Sequence, residues 1–294
     1  MKRICVVGGS GFLGSHVADQ LSATGHEVVI YDRTPSPWLQ SGQIMQVGDL
    51  LELDSLQDAV KDCDAVYNFA ALADLNDALD KPIETIKINV LGNIHVLEAC
   101  RQQGVERFLY ASTVYVNSRE GGFYRCSKQS AEHYVEEYQK VYGLDYTILR
   151  YGSLYGPRTS HSNGLYRIVK KALETGMLCY EGSPESLREY IHVVDAARAS
   201  VVALNEDFRN ESVVLTGQEP MRVLDLLEML GEILGLKNAV KFTEGDQSGH
   251  YVRTPYAYQP KLGRKYVPPM HVDLGQGLLE LISEVEKVLL LDRK

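Results

Sequence analysis

An apolar run, Ile4-Cys5-Val6-Val7, ends directly in Gly8-Gly9-Ser10-Gly11-Phe12-Leu13-Gly14, and helical periodicity follows over residues 14–23. Few local patterns narrow the choice of fold so much. Gly8 permits a tight turn off the strand, Gly11 lets backbone N–H groups come close to a pyrophosphate, and Gly14 lets the helix pack against the sheet. The start of that helix presents unpaired N–H groups and the positive end of its dipole to an anion. A second strand, residues 27–31, ends at Asp32. A carboxylate there accepts both hydroxyls of an adenosine ribose and repels a 2′-phosphate, which favours NAD over NADP. Arg33 beside it keeps the opposite preference open, because an arginine can grip that phosphate. Glycines in an ordinary strand-to-helix turn would need no ligand, but strand, glycines, helix, strand and acid follow in order here.

The alternation continues. β-rich apolar runs recur at 4–7, 28–31, 44–47, 65–69, 108–111 and 146–149, with helical segments at 14–23, 82–103 and 127–141. Strands alternating with crossover helices predict an α/β fold: a Rossmann-type doubly wound parallel sheet. Beyond Gly156-Pro157 the pattern loosens, with helices expected over 164–174, 194–204, 223–234 and 274–290. We therefore expect a dinucleotide-binding domain over 1–157, rejoined by 190–206, and a smaller C-terminal α/β substrate lobe over 158–294.

The 294 residues carry a net charge of −9 and no basic cluster, which argues against a nucleic-acid surface. The first strand begins almost at Met1, no apolar stretch reaches bilayer length, and five cysteines lie far apart, so a cytoplasmic protein with reduced thiols and no membrane contact is expected. The eight histidines show no zinc spacing, so no metal is expected.

Tyr124-Arg125-Cys126-Ser127-Lys128 sets a phenol and an ammonium four residues apart, on one helix face. A free tyrosine is a poor base at neutral pH. Lowering its pKa by about three units takes roughly 4 kcal/mol, within reach of a nearby lysine cation and an oxidised nicotinamide. Tyr166 and Lys170 share the spacing, but they lie beyond the last Rossmann strand, whereas Tyr124 opens the helix after the strand ending at Ala111. Hydroxyls cluster at that strand's end, in Tyr110-Ala111-Ser112-Thr113-Val114-Tyr115.

The glycine run, Ser112-Thr113 and Tyr124/Lys128 together resemble the extended short-chain dehydrogenase/reductase superfamily, in its nucleotide-sugar epimerase and dehydratase branch. The resemblance spans nearly the whole chain. It implies cofactor contacts from Gly8, Gly11, Phe12, Leu13, Asp32, Arg33, Asp49, Leu50, Ala70, Ala71, Asn89, Tyr124, Lys128 and Tyr151. It implies Thr113, Tyr124 and Lys128 as catalytic, and Ser112, Ser153 and Arg188 as substrate-binding. Arg150 to Pro157 is similar to the family's R-x-x-x-x-Y-G-P junction, and Arg188-Glu189-Tyr190-Ile191-His192-Val193-Val194-Asp195 to the segment whose arginine binds the substrate diphosphate in UDP-glucose 4-epimerase-like enzymes. A surface Arg–Glu pair is the plainer reading of Arg188.

Departures from the pattern are informative. Only ten residues separate Thr113 from Tyr124, which leaves the site more open than is usual in the family. Val114-Tyr115 stand where 4,6-dehydratases carry Asp-Glu, and no cysteine stands there as in fucose-synthase-like enzymes. Ser153 replaces a substrate-contacting Asn, and Val7 a Thr. The expectation is an NAD-dependent homodimeric epimerase acting at C4 of a nucleotide sugar, its interface built from the helices around 89–100 and after Tyr124. A net NAD-dependent oxidoreductase using the same residues, and a dinucleotide-sensing scaffold, remain the alternatives.

Overall fold

The computed structural model describes residues 1–159, 161–217, 219–236 and 239–243, all within one compact unit, Met1–Tyr258. The helix expected over 274–290 lies outside the described residues. Along the chain the elements are β1 (Arg3–Val7), α1 (Phe12–Ala23), β2 (Glu27–Asp32), β3 (Ile44–Val47), α2 (Leu53–Val60), β4 (Ala65–Asn68), α3 (Leu75–Asp80), α4 (Pro82–Ile86), a π-helical turn (Lys87–Leu91), α5 (Gly92–Gln103), β5 (Arg107–Thr113), α6 (Gly122–Tyr142), β6 (Asp145–Tyr151) and β7 (Ser153–Tyr155). There follow α7 (Gly164–Thr175), β8 (Leu178–Glu181), β9 (Leu187–Arg188), β10 (Tyr190–His192), α8 (Val193–Val202), β11 (Glu211–Leu215), β12 (Met221–Arg222), α9 (Val223–Leu234) and β13 (Val240–Thr243).

Seven parallel strands form the main sheet in the order β11-β6-β5-β4-β1-β2-β3. The chain winds outward from β1 to β3, then returns to lay β4 on the other side of β1. This reversal makes the β1/β4 boundary the switch point, where open α/β sheets bind ligands beyond their carboxyl ends. Strand parity explains the unbroken apolar runs. Cys5, Val7, Val29, Tyr31, Val66, Phe108, Tyr110 and Ile148 face α2, α5 and α6. Ile4, Val6, Val28, Ile30, Tyr67, Leu109 and Leu149 face α1 and α8. Both faces being covered, no polar alternation survives.

All the expected strand runs form. The sheet's seventh strand, β11, was not expected; it comes from beyond residue 157 and pairs with β6 at the edge. The single helix expected over 82–103 is instead α4, the π-helical turn and α5 in succession. The wider turn accompanies a polar contact that periodicity does not encode: Asn89 is buried and its amide takes both the N–H and the C=O of Leu72. A smaller core in the C-terminal α/β region is built on Ala172, Leu178, Val223 and Leu227, between α7 and α9.

Candidate active site

The turn after β1 is shaped by two positions that exclude any side chain. Gly8 has φ +78, and a Cβ there would stand 2.5 Å from the Ala70 nitrogen; one on Gly14 would stand 2.3 Å from the Gly8 oxygen. Gly14 thus lets α1 close on the glycine loop itself, where the sequence suggested contact with the sheet. Gly11 is the N-cap of α1, and no side chain caps the helix, so the N–H groups of its first turn, which includes Phe12 and Leu13, keep their capacity for an anion. Asp32 braces the loop: one carboxylate oxygen accepts from the Ser10 N–H at 3.1 Å, the other from the Thr34 N–H at 3.2 Å. Arg33 is exposed beside it. Asp49 accepts from the Leu51 N–H, and its carbonyl takes the Tyr31 hydroxyl. Across the switch point Asn68 accepts from the Ala70 N–H and donates to Asn93, which fixes the start of the Ala70-Ala71 loop. Backbone approach too close for a Cβ, at an uncapped helix start, fits a dinucleotide pyrophosphate.

α6 brings the phenol and the ammonium to the end of β5. Lys128 is buried, donates to the Ala111 carbonyl at 2.7 Å, and lies 4.7 Å from the Tyr110 ring centroid and 5.9 Å from that of Tyr124. Burial brings the lysine down to about 7, opposed by the Glu132 carboxylate. Burial likewise pushes the Tyr124 phenol up to about 12, against a hydrogen bond with the Thr113 side chain. The protein by itself therefore raises the tyrosine, where the sequence led us to expect lysine and nicotinamide together to lower it. Ser127 donates to the Tyr124 carbonyl and receives a bond from Asn89, so the π-helical turn steadies the first turn of α6.

The remaining sequence-predicted residues divide. Ser112, expected to help Thr113 hold the substrate oxygen, is buried and donates to Glu132 at 2.5 Å. Adjacent strand residues point to opposite faces, so Ser112 and Thr113 do not converge. Tyr151 is buried with its hydroxyl 2.6 Å from Ser200, so its side chain belongs to the α8-side core instead of a cofactor surface. Ser153 is half-buried on β7, its N–H bonded to the Glu189 carbonyl. Arg188 is buried, not at the surface, and donates to the Leu187 carbonyl and the Tyr180 hydroxyl. Tyr166, the rival tyrosine, is exposed on α7, and Lys170 pairs with Glu174 in solvent. Sequence reasoning missed Glu132 altogether, although its place four residues after Lys128 was a usable signal. Among the described residues no group of metal-ligating side chains forms, and no helix is long and apolar enough to cross a membrane.

Residues 4–215 match the model of the NAD dependent epimerase/dehydratase family. The chain is 28% identical over 309 aligned positions to a putative UDP-glucose 4-epimerase of Methanocaldococcus jannaschii, covering 95% of this chain and 97% of that protein. It is 26% identical to UDP-glucuronic acid decarboxylase 1 of Xenopus tropicalis, over 98% of this chain and 73% of the relative. The fold superposes on UDP-glucuronic acid 4-epimerase from Bacillus cereus, solved with UDP-glucuronic acid and NAD, with a TM-score of 0.79 and 26% identity, covering 89% and 95% of the two chains.

A buried lysine whose pKa falls to about 7 ties stability to pH. The unfolded chain holds that proton up to about pH 10.4, while the folded protein releases it near pH 7, so between these values the unfolded state binds more protons and stability rises with pH. We expect Lys128 to contribute a rise on the order of 4 kcal/mol across that window. Urea unfolding of wild type and Lys128→Met at several pH values checks it; parallel curves for the two proteins would show that the lysine stays charged.

Proposed function

Because the chain belongs to the NAD dependent epimerase/dehydratase family, we propose that it is an NAD-dependent epimerase of a nucleotide-activated sugar, acting at C4 through a transient 4-keto intermediate. The observation that carries this reading is the Tyr124 phenol, bonded to Thr113 at the carboxyl end of β5, with the buried Lys128 one helical turn away. The names of the Methanocaldococcus and Bacillus proteins support it. So does Val114-Tyr115, which offers no acid–base pair for expelling a C6 hydroxyl.

In this reading Gly8, Gly11, Phe12, Leu13, Asp32, Asp49, Leu50, Ala70 and Ala71 hold NAD, with Asn89 fixing the loop beside them. When bound, NAD supplies the acceptor for the C4 hydrogen and gives it back. Tyr124, made phenolate beside the Lys128 ammonium and an oxidised nicotinamide, takes the C4 hydroxyl proton, Thr113 holds that oxygen, and Lys128 would also bind the nicotinamide ribose. After the keto sugar turns over in the site, Tyr124 returns the proton to the same C4 oxygen, now in the inverted configuration, leaving no net redox change. Arg188, in the lobe proposed over 158–294, binds the diphosphate, and Ser153, on β7 just before that lobe, contacts the sugar. Asp32 selects NAD over NADP. We place the protein in the cytoplasm as a homodimer joined through α5 and α6, where Tyr134, Val141 and Tyr142 are 44%, 61% and 57% exposed. Tyr138, on the same helix, packs on the core and donates to Glu98.

Three outcomes test this reading. Turnover of the true nucleotide sugar in D₂O gives a product of unchanged mass once hydroxyl deuterium is washed out, because the migrating hydrogen never meets solvent. Deuterium fixed on carbon excludes C4 epimerisation, accumulating NADH marks a net oxidoreductase, and loss of carbon dioxide marks the decarboxylase chemistry named for the Xenopus relative. Tyr124→Phe lowers kcat about a hundredfold or more, yet binds NADH at least about tenfold more tightly than NADPH; Tyr166→Phe is near normal, and the reverse pattern overturns the assignment. Light scattering gives twice the chain mass at micromolar concentration; a monomer there removes the dimer.

A further inference from the structure

Glu132 has no part in the reaction as derived above, yet it is the most heavily bonded acid in the vicinity of the proposed catalytic pair. It lies on α6 four residues past Lys128 and eight past Tyr124, hence on their face of the helix. Its side chain is 7% exposed. One carboxylate oxygen accepts from the Ser112 hydroxyl at 2.5 Å and from Arg150 Nε at 3.0 Å, and the other from Arg150 Nη2 at 2.7 Å. Ser112 and Arg150 are register partners on β5 and β6. A single carboxylate therefore joins the helix to two neighbouring strands. It does so beside Ala111, whose carbonyl holds Lys128, and Thr113, which bonds Tyr124.

A fork of charged hydrogen bonds fixes both distance and orientation, which a lone apolar contact would not. We propose that Glu132 is a positioning residue for Lys128: held by Ser112 and Arg150, its carboxylate pins α6 to β5 and β6 and sets the charge state of the ammonium beside Tyr124.

The surroundings of Lys128 make this charge matter. From α6 itself Tyr124 and Glu132 face it, from β5 the ring of Tyr110, and from β6 Arg150 acts across Glu132. The π-helical turn contributes the neutral amide of Asn89, bonded to Ser127, the residue before Lys128. The ionisable residues of α3 and α4, Asp77, Asp80 and Glu84, are exposed, as is Lys81 between the two helices. The buried ammonium, whose bond goes to a neutral carbonyl, thus meets its counter-charge along its own helix. Removing Glu132 alone would leave Arg150 as an unopposed cation and make the charged lysine less favourable.

The proposal rests on the epimerase reading only for its consequence in turnover, because the charge state is measured without substrate. Lysine labelled with ¹³C at Cε is titrated by NMR in the full chain, with the Lys128 signal assigned by its loss in Lys128→Met. Glu132→Gln lowers the Lys128 midpoint by about one pH unit or more. Glu132→Gln with Arg150→Met, which removes both charges, gives a midpoint between that of the single variant and wild type. An unmoved midpoint in the single variant, or a double variant no higher than the single, overturns the proposal. If the single variant does not fold, the double variant, which leaves no unpaired Arg150 behind, carries the test, and a midpoint at or above wild type is then the overturning result. A merely structural glutamate would lower stability without moving the titration. Wild type inactive on every nucleotide sugar would sink the epimerase reading and leave this titration standing.

Discussion

An ammonium buried among apolar strands must be satisfied where it lies, and Lys128 is satisfied by the Ala111 carbonyl at 2.7 Å. That bond constrains everything around it. A parallel strand in mid-sheet spends its carbonyls on its neighbours, so a lysine reaches one only near the carboxyl end, where pairing is running out. Helix α6 must therefore start close to the end of β5 and run down that face. The connection between them is short, and it turns through Gly121 at φ +96 and Gly122 at φ +50, conformations that strain most side chains. A Cβ at Gly121 would also stand 2.7 Å from the Tyr115 ring. The same seating brings Tyr124, one turn earlier, to the sheet edge beside Thr113.

A second constraint, the close approach of Gly8 to the Ala70 nitrogen, ties that chemistry to the switch point. With β1 and β4 adjacent and the turn after β1 pressed on the loop after β4, the uncapped start of α1 and the Ala70-Ala71 segment border one crevice. Asn89 extends the linkage. Its amide closes on Leu72 and on Ser127, so the loop after β4 and the first turn of α6 are held by a single buried side chain. The π-helical turn that carries it is an irregularity of the kind often found where a functional residue must be aimed off a helix's regular positions.

Local periodicity made most of this legible in advance. The sheet, the glycine turn and the Tyr124/Lys128 spacing are patterns of neighbours, readable within a few residues. What escaped was contact between distant residues: Asn89 with Ser127, Glu132 with Arg150, Tyr151 with Ser200. Ser112 is a different failure, because its parity was available. Two consecutive strand residues cannot both face one substrate oxygen, and the residue aligned with Tyr110 and Phe108 was bound to turn toward α6. β11 escaped because an edge strand with one exposed face lacks the continuous apolar signature of its buried neighbours.

This parity also separates the phenol's contact from the helix's anchor. At the end of β5, Thr113 meets the phenol, while Ser112, one residue back, meets the glutamate that clamps the helix. Arg188 stands apart from both. It sits on β9, paired with the two-residue strand β12, close to the small core of α7 and α9 rather than on the main sheet. The bonds that hold Lys128, to the Ala111 carbonyl, and Glu132, to Arg150, lie on β5 and β6, whereas Arg188 on β9 bonds the Tyr180 hydroxyl on β8. Epimerases and a decarboxylase both lie among this chain's relatives, so one fold serves several sugar chemistries among them.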